Sequence, residues 1–408
     1  MKLHDKTIKF NMIMKRTVLL LTILSLGFVA CTREESMEEL TARVFERAAL
    51  QVNVLDELLD SAALMAPGEA IYPRSLYPDG KLMTSDHIWW CSGFFPGTLW
   101  YLYEYTGDED LKKMALKYQA GLEPLRFSTR DHDLGFQLMC SYGNCLRLTG
   151  DQECVPILLD GANSLASRFD SKVGCTRSWS FGKWSFPVII DNMMNLELLF
   201  KATELGGNEE LWDMAVSHAN VTKANHFRDD FSCYHLVDYN PETGEVAGKQ
   251  TVQGYADDSS WARGQALALY GFPMVYRFTR DQAYLNHAVS IADHLLSRLP
   301  EDGVPYWDYD APGIPDEVRD ASAASVMASG LIELSTYVDA KSSKRYLDAA
   351  EKMLRTLASE EYLAEVGEQC GFILRHSTGN RPADSEVDVP LTYADYYFLE
   401  ALIRYQSL

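Results

Sequence analysis

Two aspartates draw attention because of what surrounds them. Asp133 sits in Asp131-His132-Asp133-Leu134-Gly135-Phe136, and Asp191 follows Val188-Ile189-Ile190 and precedes Asn192-Met193-Met194-Asn195. Protonating a poor base near neutral pH needs a carboxyl whose pKa is raised by apolar walls or by a second carboxylate. Trp90, Trp179, Trp184 and Trp261 offer such walls, and Trp90, Trp179 and Trp261 also flat faces on which sugar rings could stack. Arg263 is a local cation for an acidic ligand, aided by the positive N-terminal ends of helices. Each has an ordinary alternative: an aspartate at a helix start can be an N-cap, a tryptophan can be core, and Arg263 can pair with Asp257 or Asp258. His132 and His235 belong to no recognised metal-ligand spacing, so hydrogen bonding to a sugar or plain structure is expected, and no metal. Without a GxSxG, P-loop or dinucleotide fingerprint, serine nucleophiles and nucleotide cofactors lack support; no cofactor is expected.

These residues need a scaffold that gathers them, and a recurring phrase supplies it. An apolar helix end, a tight polar turn and another Leu/Ala-rich helix return at Tyr105-Thr106-Gly107-Asp108, Leu148-Thr149-Gly150-Asp151, Leu205-Gly206-Gly207-Asn208 and Phe278-Thr279-Arg280-Asp281, and more loosely at Val338-Asp339-Ala340. Helical patterning covers 38–60, 93–105, 109–123, 134–148, 152–169, 190–205, 209–226, 260–278, 282–299, 320–337, 343–359 and 390–406. Twelve helices make six hairpins, with longer segments before every second one, which predicts an all-α fold, an (α/α)6 barrel with one set of loops around a common cavity. Within 227–259, Phe231 to Val237 and Thr251-Val252-Gln253 predict a β-hairpin at the cavity mouth.

Length and charge bound the rest. At 408 residues and 47% hydrophobic, one core can use nearly all of the chain. Lys plus Arg at 37 against Asp plus Glu at 58 gives −21, which disfavours nucleic acid or an anionic membrane surface as partner. From Met14-Lys15-Arg16, an apolar run from Thr17 to Ala30 ends at Cys31; this reads as a signal segment over 1–31, with a lipobox-like end that would lipidate Cys31 and place the mature protein in the bacterial cell envelope. Membrane contact is then expected only through that anchor, with 32–408 as one domain. The seven later cysteines show no CxxC spacing and are expected as buried free thiols.

The motifs around Asp133 and Asp191, with Trp261-Ala262-Arg263-Gly264-Gln265, Pro305-Tyr306-Trp307-Asp308-Tyr309, Arg319-Asp320-Ala321-Ser322-Ala323-Ala324 and Glu386-Val387-Asp388-Val389-Pro390, resemble glycoside hydrolase family 88, the unsaturated glucuronyl hydrolases. The resemblance runs from about Trp89 to Leu402. It implies an (α/α)6 barrel that removes the 4,5-unsaturated uronic acid from oligosaccharides left by polysaccharide lyases. It further implies that Asp191 protonates C4 of the enol ether and activates water for C5, while Asp133 positions the sugar and tunes Asp191. His235, Gln253, Trp261 and Arg263 would line the subsite, completed by Trp90, His132 and Trp179. Leu267 departs from the family, which often has tryptophan there. In His376-Ser377-Thr378-Gly379-Asn380-Arg381, Ser377 and Arg381 suit a sulfate contact, the alternative being a solvated loop. Two rival readings stay open: an unsaturated rhamnogalacturonyl hydrolase acting on pectin fragments, and a non-catalytic glycan-binding lipoprotein.

Overall fold

The computed structural model describes residues 35–67 and 71–408. The signal-like segment and Cys31 lie outside the described residues. Two units divide the chain, Met1–Glu39 and Leu40–Leu408, and the barrel is built by the second. Its helices are α1 (Met37–Met65), α2 (Phe94–Thr106), α3 (Glu109–Ala120), α4 (Leu134–Leu138, continuing through a wide turn, Met139–Gly143, into Asn144–Thr149), α5 (Cys154–Ala166) and α6 (Asn192–Glu204). They continue as α7 (Glu210–Asn225), α8 (Ala262–Thr279), α9 (Gln282–Arg298), α10 (Ala321–Ser335), α11 (Ala340–Leu357) and α12 (Thr392–Gln406).

The even-numbered helices touch in cyclic order, and α12 closes the ring on α2. Composition explains which helices go inside. Nearly every residue of α10, rich in alanine and serine, is buried, whereas α11 buries only the stripe Tyr346, Ala350, Met353, Leu354 and Leu357. A helix apolar or small on all sides must be surrounded, and one with a single apolar face lies outside. α1 takes an outer place, with Phe45 stacked on Tyr105 and the Gln51 amide donating to Phe372 O.

Three of the recurring turns are one device. Thr106, Thr149 and Thr279 each donate a hydroxyl to the carbonyl four residues back, at 2.7, 2.7 and 2.9 Å. The next residue, Gly107, Gly150 or Arg280, has φ of 69°, 71° or 55°, the left-handed conformation that ends a helix. Asp108, Asp151 and Asp281 then accept from the backbone N–H two residues on; Asp108 and Asp281 cap the next helix, and Asp151 lies three residues ahead of α5. The other rim differs: segments of 12 residues or more precede each inner helix after α2.

These long segments hold small antiparallel sheets. β1 (Tyr72–Leu76) pairs with β2 (Leu82–Ser85), β3 (Phe169–Asp170) with β4 (Cys175–Thr176), and β8 (Ser377–Asn380) with β9 (Ser385–Val389). The predicted mouth hairpin is corrected: its strands are β6 (Leu236–Tyr239) and β7 (Val246–Gln250), and β5 (Pro187–Ile189) joins as a third. Phe231, with φ of 68°, turns the chain just where the first strand was expected to start. Helix α11 starts at Ala340, ahead of the expected 343, because Asp339 caps it by accepting from Lys341 N and Ser342 N.

Candidate active site

The strand register puts Asp191 beside His235. Val188 faces Val237 and Ile189 faces Leu236, and the next rung is Ile190 N donating to His235 O at 2.9 Å. Asp191 then occupies the N-cap position of α6, and Asp133 that of α4, yet neither side chain makes a capping bond. Asp108, Asp281, Asp320 and Asp339 do cap their helices, so capping accounts for those aspartates and not for these two.

Asn195 clamps the two helix starts together. Its Oδ1 accepts from Phe136 N at 2.9 Å, and its amide donates to Asp191 O at 3.3 Å. Helices α4 and α6 meet here so closely that a Cβ on Gly135 would lie 2.5 Å from Asn195 Cα. Gly135→Ala must therefore push the helices apart. We expect it to cost about 1–3 kcal/mol and to reduce turnover more than binding, as read by denaturation and by comparing kcat with KM.

Burial sets the protonation of the pair. The side chains of Asp133 and Asp191 are 14% and 13% exposed, open enough to be reached and dry enough to resist ionisation. Burial raises Asp191 to about 6 against the pull of the Arg263 charge. Burial, then the charges of Asp131 and Asp191, holds Asp133 well above the carboxylate range, opposed by Arg168. Asp133 therefore favours its protonated form, and Asp191 is poised to exchange a proton near neutral pH.

The histidines beside them are neutral. Burial takes His235 down to about 3 and lowers His132 as well. His235 Nδ1 accepts from the backbone N–H groups of Val252 and Gln253 at 3.1 and 3.3 Å, which assigns the proton to Nε2. That nitrogen lies 3.9 Å from Asp191 Oδ2, and neither atom has a hydrogen-bond partner in the protein. His132 Nε2 lies 3.5 Å from Asp133 Oδ1. The site thus offers an unpartnered carboxyl oxygen and an unpartnered N–H side by side.

Aromatic contacts continue the wall. His235 packs on Trp261 at 4.5 Å, Arg263 lies over Trp261 and Tyr393 at 4.6 and 5.2 Å, and Trp90 lies 4.8 Å from Tyr393 and 5.7 Å from Phe136. Trp179 stacks on Phe181 and meets Trp184 edge-on, its own N–H unpartnered. Gln253 reaches Gly379 O at 3.0 Å. Leu267 is buried.

Arg263 is bound differently from the sequence-based alternative. Asp257 accepts from Thr251 N; the guanidinium instead meets Asp320 at 3.2 Å and the carbonyls of Thr378 and Gly379 at 2.6 and 2.7 Å. It therefore ties α8 to α10 and β8. Ser377 is in strand β8 with a buried, unpartnered hydroxyl, whereas Arg381 is exposed and pairs with Asp384. Asp320, Asn195 and Tyr393 have structural parts in the site that sequence reasoning did not assign. Asp320 and Asn195 stood inside recognised motifs, but their partners are distant in sequence.

Known proteins with related sequences and structures bear on this geometry. The profile of Glycosyl Hydrolase Family 88 matches residues 72–405. An unsaturated glucuronyl hydrolase of Formosa agariphila is 42% identical over 409 residues, 97% of this chain and 99% of that protein. The crystal structure of an unsaturated glucuronyl hydrolase specific for heparin superposes with a TM-score of 0.85 at 44% identity, covering 91% of this chain and 98% of that one. An aspartate-to-asparagine mutant of the Streptococcus agalactiae enzyme complexed with dGlcA-GalNAc6S gives a TM-score of 0.75 at 30% identity, covering 91% and 93%.

Proposed function

The chain belongs to glycosyl hydrolase family 88, and from that premise we propose that it removes the 4,5-unsaturated uronic acid from the non-reducing end of lyase-generated glycosaminoglycan oligosaccharides. The observation that carries the reading is the Asp191 carboxyl, which caps nothing, keeps Oδ2 unpartnered and has its pKa raised to about 6. Such a group can hold a proton near neutral pH and still act as a base once that proton is given up.

The reaction is a hydration. The carboxyl of Asp191 gives its proton to C4 of the enol ether, positive charge develops at C5, and the carboxylate then takes a proton from the water that attacks C5. The resulting hemiketal opens and releases the leaving sugar. The separation rule for paired glycosidase carboxylates does not apply, because the glycosidic bond is not the first to react. Asp133 supplies a second carboxyl held well above the carboxylate range, and His235 Nε2–H is placed to donate to the sugar beside Asp191.

The heparin-specific and GalNAc6S-bound relatives support sulfated disaccharides as substrates. The decisive measurement is loss of the enol-ether ultraviolet absorbance on mixing purified protein with unsaturated disaccharides from heparin, chondroitin, hyaluronan and pectin lyases. Loss on a glycosaminoglycan product is expected; loss on pectin fragments alone would reject the reading. Ser377 and Arg381 are proposed as sulfate contacts on the chemistry of a hydroxyl and a guanidinium alone; Ser377 is buried in β8 and Arg381 pairs with Asp384. Replacing both with alanine should shift the ratio of rates on sulfated and unsulfated disaccharides, and an unchanged ratio rejects the contact.

The basic and apolar run ending at Cys31 supports an envelope lipoprotein whose mature part is one barrel domain over 32–408. Metabolic labelling with a fatty-acid analogue should mark the chain and fail on Cys31→Ser; equal labelling of both would reject the anchor.

A further inference from the structure

The hairpin between α4 and α5 departs from its two sister turns in one respect. Four residues before the threonine and three after the aspartate, the turn after α2 places Leu102 and Leu111, and the turn after α8 places Val275 and Tyr284, all buried apolar side chains that staple the two helices. The α4–α5 turn places Cys145 and Cys154 at those positions. Both thiols are buried, and the carboxylate of Asp151 in the turn between them is exposed. One ligand atom from each of the three residues lies within 4.8 Å of the others, and among the described residues no other group of three or more such side chains has this arrangement.

We propose that Cys145, Asp151 and Cys154 form a binding site for a soft divalent cation of the zinc and cadmium class. Two sulfurs select such ions over magnesium or calcium, and three protein ligands leave one tetrahedral position for water. The sulfurs bind the ion as thiolates, so the thiol protons still held are released on uptake and the pair becomes a dithiolate complex. Asp151 accepts from Glu153 N at 3.0 Å through one carboxylate oxygen. Its exposure gives the ion a path to two otherwise buried sulfurs. Cys154 is the first residue of α5. Asp133 starts the helix that Cys145 helps to end, so the ion would clip the base of the hairpin whose other end carries Asp133.

The test uses the full chain, reduced and stripped of metal with a chelator, and titrated anaerobically with cadmium while the thiolate-to-metal ultraviolet band is followed. One equivalent per chain is expected. Asp151→Asn, which can still accept from Glu153 N, should weaken binding at least about tenfold. Cys145→Leu/Cys154→Leu, which restores the apolar pair of the α2–α3 turn, should abolish the band. Cys233→Ser should leave it intact. No band, or an equal band in the double-leucine variant, overturns the proposal. If that variant fails to fold, an unchanged affinity in Asp151→Asn does the same.

Discussion

Asp191→Asn is expected to lower kcat by about 10³-fold and leave KM within a few-fold of wild type, because it removes a proton transfer and keeps the shape of the site. A glycan-binding protein would be indifferent to the change, so measured binding without turnover separates the two readings. The same substitution should also stabilise the fold. Asp191 titrates near 6 in the native chain and near 3.9 in an unfolded one. Between those values the native state holds more protons than the unfolded state, so stability falls as pH rises through the window from about 4 to 6. Above it the full penalty of about 3 kcal/mol applies, on the order of two pKa units at 1.36 kcal/mol each. The variant should exceed wild type by an amount of that order at pH 7, and the advantage should vanish towards pH 4. Denaturant unfolding across this range checks the sign; a variant less stable than wild type at pH 7 would contradict it.

Arg263→Met is expected to cost about 3–5 kcal/mol and to abolish turnover. The pair it breaks is buried on both sides, Arg263 at 3% and Asp320 at 0% exposure. Methionine can fill part of the space but leaves the Asp320 charge and the Thr378 and Gly379 carbonyls short of a donor. Exposed pairs such as Lys113 with Asp110 are worth little by comparison, so Lys113→Ala should sit near zero in the same unfolding experiment. A loss for Arg263→Met as small as that of Lys113→Ala would show that the guanidinium is not what holds α8, α10 and β8 together.

Much of the scaffold was legible because its signals are local. Threonine, glycine and aspartate at fixed offsets end one helix and start the next, and each acts within a few residues of itself. The twelve helices and the long segments before alternate ones follow from such signals. Strand pairing does not. Nothing near Pro187–Ile189 in sequence announces Leu236–Tyr239 as its partner, so the sheet that sets Asp191 against His235 was read only as a hairpin in the wrong place. The same limit hid Asp320 as the partner of Arg263, 57 residues away. Cys145 and Cys154 escaped for a related reason: eight residues separate them, and only the turn brings them together.

The asymmetry of the two rims has a consequence for how such a protein can change. On one rim, turns of a few residues use nearly every hydrogen-bonding group to stop one helix and launch another, so an insertion there would break a cap. On the other, the chain wanders through small sheets and loops whose lengths already differ from hairpin to hairpin, while the inner helices remain joined from α2 round to α12. Variation in chain length is therefore cheap only where substrate is met. Libraries that lengthen or recombine the segments before α4, α8 and α12 should yield folded proteins with altered sugar preference far more often than libraries built on the Thr-Gly-Asp turns. The architecture separates what must stay fixed from what can be explored.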